Sequence, residues 1–250
     1  YYADLYRKFA TFMHSEWKDG HIFRIASGAS DADYHWTEVL MINIPGHLLD
    51  GVALHHYSTV DWNKKGDAVD FTEEQYFRTM RSALLIDTLI RKHAAIMDQY
   101  DPKKKIALVV DEWGGWYNVQ GGTNPGFLFQ QNTMRDAMIA GTTLNIFNNH
   151  SDRVRMANLA QAVTVLQSVI LTSGDTMVLT PTYYVMEMYS VHQDATLIPV
   201  DIHSNDYTLG NEKLAAVSVS ASKDKNGITH VSLVNIDAHK EQEVMLDTHD

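Results

Sequence analysis

The sequence predicts an α/β protein in which a parallel sheet, covered by helices, is followed by a region of antiparallel strands. Apolar strand-like segments alternate with amphipathic segments over residues 1–175, the pattern of parallel α/β structure. Residues 106–110 are apolar without alternation, as expected for a strand buried on both faces. In residues 176–250, apolar and polar residues alternate around the turn 223–227, which predicts antiparallel strands of a β-sandwich.

Local patterns predict the individual elements in chain order. The first helix, residues 2–14, has Leu5, Phe9 and Phe12 on one stripe. The other elements of the first region are a strand 21–26, a helix 36–42, a strand 51–57, a long helix from the capping box of Thr72 and Gln75 to Tyr100, the strand that ends at Glu112, a loop 118–126, a helix 128–140, a strand-like run 143–147 and a helix 154–171. The second region has three alternating runs, 177–184, 214–222 and 230–236.

Composition and charge exclude several classes of protein. The 250 residues are 45% hydrophobic and carry a net charge of −11, which suits a globular protein and leaves no basic stripe for nucleic acid. Cysteine is absent, which excludes a disulfide framework, and no run reaches the roughly 20 apolar residues of a membrane span. The chain opens in a helical pattern without an initiator methionine, so we expect the natural start to lie elsewhere; the compartment, cytoplasmic or secreted, stays open.

The buried strand ends in the segment Asp111-Glu112-Trp113-Gly-Gly-Trp116. Ligands of parallel α/β proteins bind at the carboxyl ends of strands, so Glu112 is the leading candidate catalytic residue. The alternative is that Asp111 and Glu112 only cap a following helix. Trp113 and Trp116 favour a site, because aromatic walls suit a sugar ring and a helix cap has no use for them.

A second candidate group lies on the strand 51–57, where the two-residue period puts His55 and Tyr57 on one face and His56 on the other. His55 and Tyr57 could orient a nucleophilic carboxylate, or they could be hydrogen-bonded core groups. A zinc site is a poorer interpretation, because the two histidines point to opposite faces and no second cluster has metal spacing. We expect neither a metal nor a cofactor. Residues 148–150 could contact substrate hydroxyls, although an ordinary polar loop is favoured.

Five segments carry a resemblance to a known family: 51–57, 111–114, 130–137, 152–161 and 177–184. Together, in the family's order, they resemble glycoside hydrolase family 51, the retaining α-L-arabinofuranosidases. The resemblance implies the carboxyl-terminal half of a (β/α)8 TIM barrel in residues 1–175 and part of an antiparallel β-sandwich domain in residues 176–250. It also implies an arabinofuranoside-containing oligosaccharide or polysaccharide, such as arabinan or arabinoxylan, as substrate. The roles that it implies are Glu112 as nucleophile, His55 and Tyr57 as pocket residues, Trp116 as aromatic wall, and Gln161 near the sugar.

One part of the family pattern is missing. The resemblance places the general acid/base glutamate in a Gly-Asn-Glu segment shortly before the helix that is similar to residues 1–12, and that segment is absent. Gly210-Asn211-Glu212 lies in the alternating region, out of family order, so we interpret it as a turn. We therefore expect a fragment that is inactive alone. Its open barrel edges favour homo-oligomers or pairing with the missing amino-terminal half.

Two other functions stay open at this point. A different retaining glycosidase on the same barrel would share the glutamate at the end of the strand. A non-catalytic carbohydrate-binding or assembly protein would explain the missing acid/base. Neither alternative involves nucleic acid or a membrane.

Overall fold

A four-stranded parallel sheet lies at the centre of the computed structural model, which describes residues 1–16 and 20–247. Its strands are hydrogen-bonded in sequence order: β1 (Ile25–Ser30), β2 (Gly51–Ser58), β3 (Ala107–Gly115) and β4 (Val154–Leu159). Parallel neighbours need crossover connections, and a helix forms each of them here. The predicted parallel α/β region is confirmed.

Helices connect and cover these strands: α1 (Tyr2–Ala10) precedes β1, α2 (Tyr34–Asn43) follows β1, α3 (Glu73–Tyr100) follows β2, and α4 (Met134–Asn149) follows β3. The capping box predicted for α3 is present, because Thr72 Oγ1 accepts from Gln75 N and Gln75 Oε1 accepts from Thr72 N at 2.9 Å. In the described residues, no helix is both long and apolar enough to cross a membrane.

The main core lies between the sheet and the helices. It contains side chains from one face of β2 and β3. Ala53, Ala107 and Val109 on the opposite face are buried as well, which explains the apolar run without alternation in β3. Each buried aliphatic side chain stabilises the fold by roughly 1.5–3 kcal/mol relative to an exposed one. The sheet and helix residues that share this core include Val52, Leu54, Leu108, Val110, Leu40, Ile86, Leu89 and Ile90.

The strands β1 and β2 approach each other too closely for a side chain at Gly28. A Cβ built there would lie 1.3 Å from the carbonyl oxygen of Ala53. The register of the two strands shifts at the same point, between Ala26 and Ala29. Glycine is therefore required at position 28 for β1 to pair with β2, and this pairing fixes the edge of the sheet next to the candidate site.

The strands after β4 pair antiparallel, as predicted for residues 176–250. The elements after β4 are the pair β5 (Ile170–Ser173) and β6 (Thr176–Leu179), the helix α5 (Pro181–Tyr189), the pair β8 (Asp206–Leu209) and β9 (Glu212–Ala215), and a sheet in which β10 (Val217–Lys223) lies between β7 (Thr196–Ile198) and β11 (Thr229–Asn235). The predicted turn joins β10 to β11, with Gly227 N donating to Asp224 O at 3.0 Å. The division at residue 175 stays a prediction.

Helix α4 lies between the parallel sheet and the three-stranded sheet. Three asparagines face β10: Asn145 donates to Ser218 Oγ at 3.2 Å, Asn148 donates to Ser220 Oγ at 3.0 Å, and Asn149 donates to a backbone carbonyl at 2.9 Å. Ser220 Oγ in turn donates to Asn145 Oδ1 at 2.7 Å. We call this group of contacts the asparagine–serine seam. It joins α4 to the three-stranded sheet and satisfies the buried amide of Asn145.

Three of the predicted elements around α4 differ from the structure. The helix 128–140 and the strand 143–147 are one helix, α4, which starts at Met134, and the helix 154–171 is instead β4 followed by a loop and β5. Because α4 is buried between two sheets, its sequence has apolar residues on several faces and lacks a clear helical stripe. Residues 148–150 therefore end a helix. Asn148 and Asn149 contact β10, and His150 Nε2 lies 2.7 Å from Asp87 Oδ1. None of the three lines the cavity beside Glu112.

Three further boundaries differ from the prediction. The strand 21–26 is β1, which starts at Ile25. The run 177–184 divides into β6 and α5, because Thr180 caps a helix that begins with Pro181. The first helix ends at Ala10, and the predicted apolar stripe is not buried, since Phe9 and Phe12 are exposed.

Candidate active site

The carboxyl ends of β2 and β3 bring three of the predicted site residues together. In the parallel register, His55 lies opposite Glu112. The Tyr57 hydroxyl donates to Glu112 Oε2 at 2.8 Å, and His55 Nδ1 lies 3.6 Å from the same oxygen. On its other side, His55 Nε2 lies 3.1 Å from Asp111 Oδ1. The histidine thus contacts both carboxylates of the pair, while the tyrosine contacts only Glu112.

Burial controls the protonation of this group. Desolvation raises the pKa of the Tyr57 phenol well above its usual value, and the hydrogen bond to Glu112 with its negative charge raises it further. Tyr57 therefore stays protonated at neutral pH and acts as a donor to the carboxylate. The pKa of Asp111 is also raised, chiefly by desolvation, although the nearby His55 acts in the opposite direction.

His56 has a structural role on the opposite face of β2. It is buried, its Nδ1 lies 2.6 Å from Asp31 Oδ1, and its Nε2 lies 2.8 Å from the carbonyl oxygen of Ser82. These contacts tie the end of β2 to the end of β1 and to α3. Within residues 1–16 and 20–247, no group of three or more His, Asp or Glu side chains is arranged to hold a metal ion.

Glu112 opens onto a cavity of about 320 Å³. Gln161 lies in its wall, together with Tyr57 and Trp116, so four of the five residues carried over from the family resemblance lie around one space. The fifth, His55, contacts Glu112 but does not line the cavity. Their roles remain predictions. The sequence analysis did not identify the apolar part of the wall, which comes from Leu128, Leu159, Ala160 and Leu166. Most of these residues lie in loops, where no periodic pattern marks them.

The two tryptophans of the Glu112 segment differ in their surroundings. Trp116 lines the cavity, with its ring centre 4.8 Å from that of Tyr57. Trp113 is buried and packs edge-on against Phe147, with the ring centres 5.4 Å apart. The expectation that Trp113 forms a wall of the site is therefore wrong, because it belongs to the core. A further tryptophan, Trp62, was not predicted and lies 5.5 Å from Trp116.

Side-chain amides fix the end of β3 that carries Glu112. Gln167 Oε1 accepts from Gly115 N at 2.7 Å, and Gln130 Nε2 donates to Gly115 O at 3.1 Å. Gln130 Oε1 also accepts from Tyr117 N at 2.8 Å. The backbone polar groups of Gly115 are thus satisfied by glutamines from two different loops. This arrangement adds to the pairing with β2, in which Ser58 lies opposite Gly115 and Trp116 N donates to Ser58 O at 3.1 Å.

Two buried charged side chains, Asp136 and Arg135, lie next to each other at the start of α4. Asp136 is fully buried, and desolvation raises its pKa to about 6 against the opposing effects of backbone hydrogen bonds and Arg135. The Arg135 guanidinium lies between the rings of Phe71 and Tyr117, 3.8 and 3.7 Å from their centres. It also donates to Asp67 O at 2.8 Å. Arg135 therefore connects α4 to the loop that follows β2.

Glu212, the other glutamate that was considered, lies elsewhere. It begins β9 and pairs with Arg81 of α3. It is not among the residues that line the Glu112 cavity. This placement agrees with its interpretation as part of a turn rather than as a catalytic group.

Comparison with known proteins identifies the family. A model of the α-L-arabinofuranosidase C-terminal domain matches residues 111–250, more than half of the chain. The crystal structure of the GH51 arabinofuranosidase from Xanthomonas axonopodis pv. citri matches with a TM-score of 0.92 and 48% identity, over 95% of this chain and 48% of that one. The chain belongs to glycoside hydrolase family 51. The family resemblance in the sequence is thereby confirmed.

Two further arabinofuranosidases show the same partial coverage. The intracellular exo-α-L-arabinofuranosidase of Bacteroides ovatus is 48% identical over 252 residues, which are 100% of this chain and 49% of that protein. The α-L-arabinofuranosidase of Thermotoga maritima, solved as an arabinose complex, has a TM-score of 0.72 at 21% identity over 94% of this chain and 47% of that one, a likeness of fold alone. The chain thus spans about half the length of these relatives.

Proposed function

We propose that the protein containing this chain is a retaining α-L-arabinofuranosidase in which Glu112 is the nucleophile. The observation that carries the proposal is the 2.8 Å hydrogen bond from Tyr57 to Glu112 at the carboxyl ends of adjacent parallel strands, beside an open cavity. Family membership supports the substrate class, since the Bacteroides ovatus relative is named an exo-α-L-arabinofuranosidase. The proposed substrates are arabinose-containing oligosaccharides or polysaccharides.

A (β/α)8 barrel is the proposed setting of the site. Four parallel strands in sequence order, connected by helices, correspond to half of such a barrel. We assign this half to residues 1–175 and the beginning of a sandwich domain to residues 176–250. In such barrels catalytic groups come from the carboxyl ends of several strands, which is where Glu112, His55 and Tyr57 lie.

The residues of the site have distinct roles in the proposed reaction. Glu112 attacks the anomeric carbon and forms a covalent glycosyl-enzyme, which water then hydrolyses with a second inversion, so that the configuration is retained. Tyr57 holds the carboxylate by its hydroxyl, and His55 lies between this carboxylate and Asp111. Trp116 and Gln161 hold the arabinofuranose ring in the cavity that they line.

The general acid/base must be a second carboxyl group, about 5–5.5 Å from the nucleophile in retaining enzymes. Glu212 is engaged by Arg81, and Asp111 by His55. We infer that the acid/base comes from a part of the protein outside these 250 residues, because the relatives are about twice as long. General acid catalysis typically contributes about 10²–10⁴-fold, so this chain alone should not turn over natural arabinosides.

Glu112→Ala in the full-length protein tests the proposal. Turnover of an aryl α-L-arabinofuranoside should be abolished with the fold intact, and added azide should restore some activity by forming the glycosyl azide of inverted configuration. A folded variant that keeps more than about a hundredth of the wild-type kcat, a barrier change below ~3 kcal/mol, would disprove the assignment.

The same assays separate the other functions. Cleavage of an aryl xyloside or glucoside in place of the arabinofuranoside would indicate another retaining glycosidase. Binding of arabino-oligosaccharides by the wild-type full-length protein without any turnover would indicate a non-catalytic carbohydrate-binding protein. Either result would contradict the proposed function.

A further inference from the structure

An exposed tryptophan extends the wall of the candidate site toward solvent. Trp62 is 54% exposed, and its ring lies 5.5 Å from that of Trp116 in an edge arrangement. Trp116 in turn contacts the ring of Tyr57, whose hydroxyl holds Glu112. We call Tyr57, Trp116 and Trp62 the aromatic row. It runs from the carboxylate inside the cavity to a ring at the surface.

The outer end of the aromatic row is held by Lys65. Its ammonium lies over the Trp62 ring, 4.5 Å from the centre, and 5.4 Å from the centre of the Trp116 ring. The same nitrogen donates to the backbone carbonyl of Trp62 at 2.9 Å. Lys65 therefore fixes both the backbone and the indole of Trp62, and it holds this indole next to Trp116.

The loop that carries Trp62 is ordered by its own polar contacts. Asp61 Oδ1 accepts from two backbone N–H groups of the loop, at 2.9 and 3.1 Å. Farther along, the carbonyl oxygen of Gly66 accepts from Asn118 N at 2.9 Å, and Arg135 donates to the carbonyl oxygen of Asp67 at 2.8 Å. A ring on such a loop is presented in one orientation, so a ligand that stacks on it loses little free energy to ordering.

The geometry of the reaction puts a second sugar near Trp62. The part of the cavity that this half of the proposed barrel forms, about 320 Å³, has room for one sugar ring beside Glu112. In the proposed reaction the leaving group departs from the face of the anomeric carbon opposite to Glu112. The aromatic row extends from Glu112 past Trp116, and in this proposal the leaving-group sugar lies along it, beyond Trp116.

We propose that Trp62 is the stacking platform for the neutral sugar of the leaving group and that Lys65 positions its indole. This inference rests on the proposed function and adds a specificity-determining residue to it. The C–H face of a pyranose or furanose ring packs on an indole face, and the exposed part of Trp62 offers that surface. The platform contributes only when the leaving group is a sugar.

Two kinds of substrate separate this role from the reaction itself. The first kind is α-L-arabinofuranosyl fluoride, whose leaving group is too small to reach Trp62. The second kind is an oligosaccharide, either α-1,5-linked arabinotriose or an arabinofuranosyl-substituted xylotriose. In the full-length enzyme, Trp62→Ala should lower kcat/KM on the oligosaccharides by about tenfold, mainly through KM, and change kcat/KM on the fluoride by less than about threefold. Trp62→Phe should recover part of the loss, and Lys65→Met should give an intermediate loss.

Tyr184→Ala is the matched control, because this residue is also an exposed aromatic side chain, 51% exposed, but it lies on α5 away from the cavity. It should leave both substrates unaffected. Equal losses on the fluoride and the oligosaccharides for Trp62→Ala, or no loss on either, would overturn the platform. If the wild-type enzyme cleaves neither substrate, the proposed function itself fails, which is a different result from failure of the platform.

Discussion

Replacing Tyr57 by phenylalanine removes one oxygen atom and tests how the nucleophile is controlled. The hydroxyl donates to Glu112 Oε2 at 2.8 Å, and its ring keeps its edge contact with Trp116 after the change. A hydrogen bond to a charged group contributes about 1.5–3 kcal/mol. Because Tyr57 is half-buried, we take the lower part of this range, about 1.5–2 kcal/mol, which corresponds to a factor of roughly 10–30 in a rate constant.

The change in charge on Glu112 determines which of the two reaction steps the substitution slows. Glu112 loses negative charge when it attacks the sugar and regains it when water releases the sugar, so a donor to this carboxylate favours the second step. Tyr57→Phe should therefore lower kcat by about 10–30-fold, lower KM as the glycosyl-enzyme accumulates, and change kcat/KM much less. The assay is stopped-flow hydrolysis of a dinitrophenyl arabinofuranoside, in which the variant should give a burst of one equivalent.

Two results would refute this reasoning. Unchanged kinetics with a lowered melting temperature would mean that Tyr57 has only a structural role in the core. A fall in kcat/KM as large as the fall in kcat, without a burst, would mean that the hydroxyl acts in the first step instead. Intact mass spectrometry of the quenched variant measures the covalent intermediate directly and separates these outcomes.

Three further substitutions test the surroundings of the site. The pKa of Asp136 in the folded protein is about 6, above the ordinary 3.8, so its contribution to stability is complete below pH ~4 and is lost as the pH rises through about 6. In urea unfolding, the free energy of unfolding of Asp136→Asn should therefore rise relative to that of the wild type by roughly 2–3 kcal/mol between pH 4 and pH 7. A difference between the two proteins that does not depend on pH would contradict this. Asp111→Asn should lower kcat roughly tenfold and change the pH dependence of kcat, because it removes the carboxylate that lies 3.1 Å from His55 Nε2. An unchanged pH dependence would mean that Asp111 does not position His55. Glu212→Gln should leave kcat unchanged and cost under about 1 kcal/mol of stability, since it breaks only an exposed pair with Arg81; loss of activity would reopen this glutamate as the acid/base.

The parts of the fold that were predictable are those with strong local signals. The capping box of Thr72 and Gln75 marked the start of α3, and the apolar run before Glu112 marked a strand buried on both faces. The two-residue period placed His55 and Tyr57 beside Glu112 once β2 and β3 were recognised as parallel neighbours. Short-range patterns were sufficient here because the relevant contacts follow from register alone.

Other features depend on tertiary contacts that leave no local pattern. Helix α4 was divided into a helix and a strand, because asparagines that face β10 occupy positions that usually mark a solvent face. Trp113 was assigned to the site, yet it packs on Phe147 in the core, since the two sides of a buried strand cannot be told apart by hydrophobicity. Trp62 lies in a loop without periodicity, and only its contact with Trp116 connects it to the site.

The asparagine–serine seam limits how this chain can be recombined with its relatives. An exchange that brings in a strand β10 without Ser218 and Ser220 would remove the hydroxyl partners of Asn145 and Asn148, and the buried Asn145 amide left without its acceptor would cost about 1–3 kcal/mol. Helix α4 and strand β10 are therefore expected to be inherited together. Crossover points between them should yield unstable chimaeras, whereas a crossover before α4 keeps the seam within one parent. Domain shuffling in such a protein is thus restricted by a few amide–hydroxyl pairs rather than by the length of the linker between the domains.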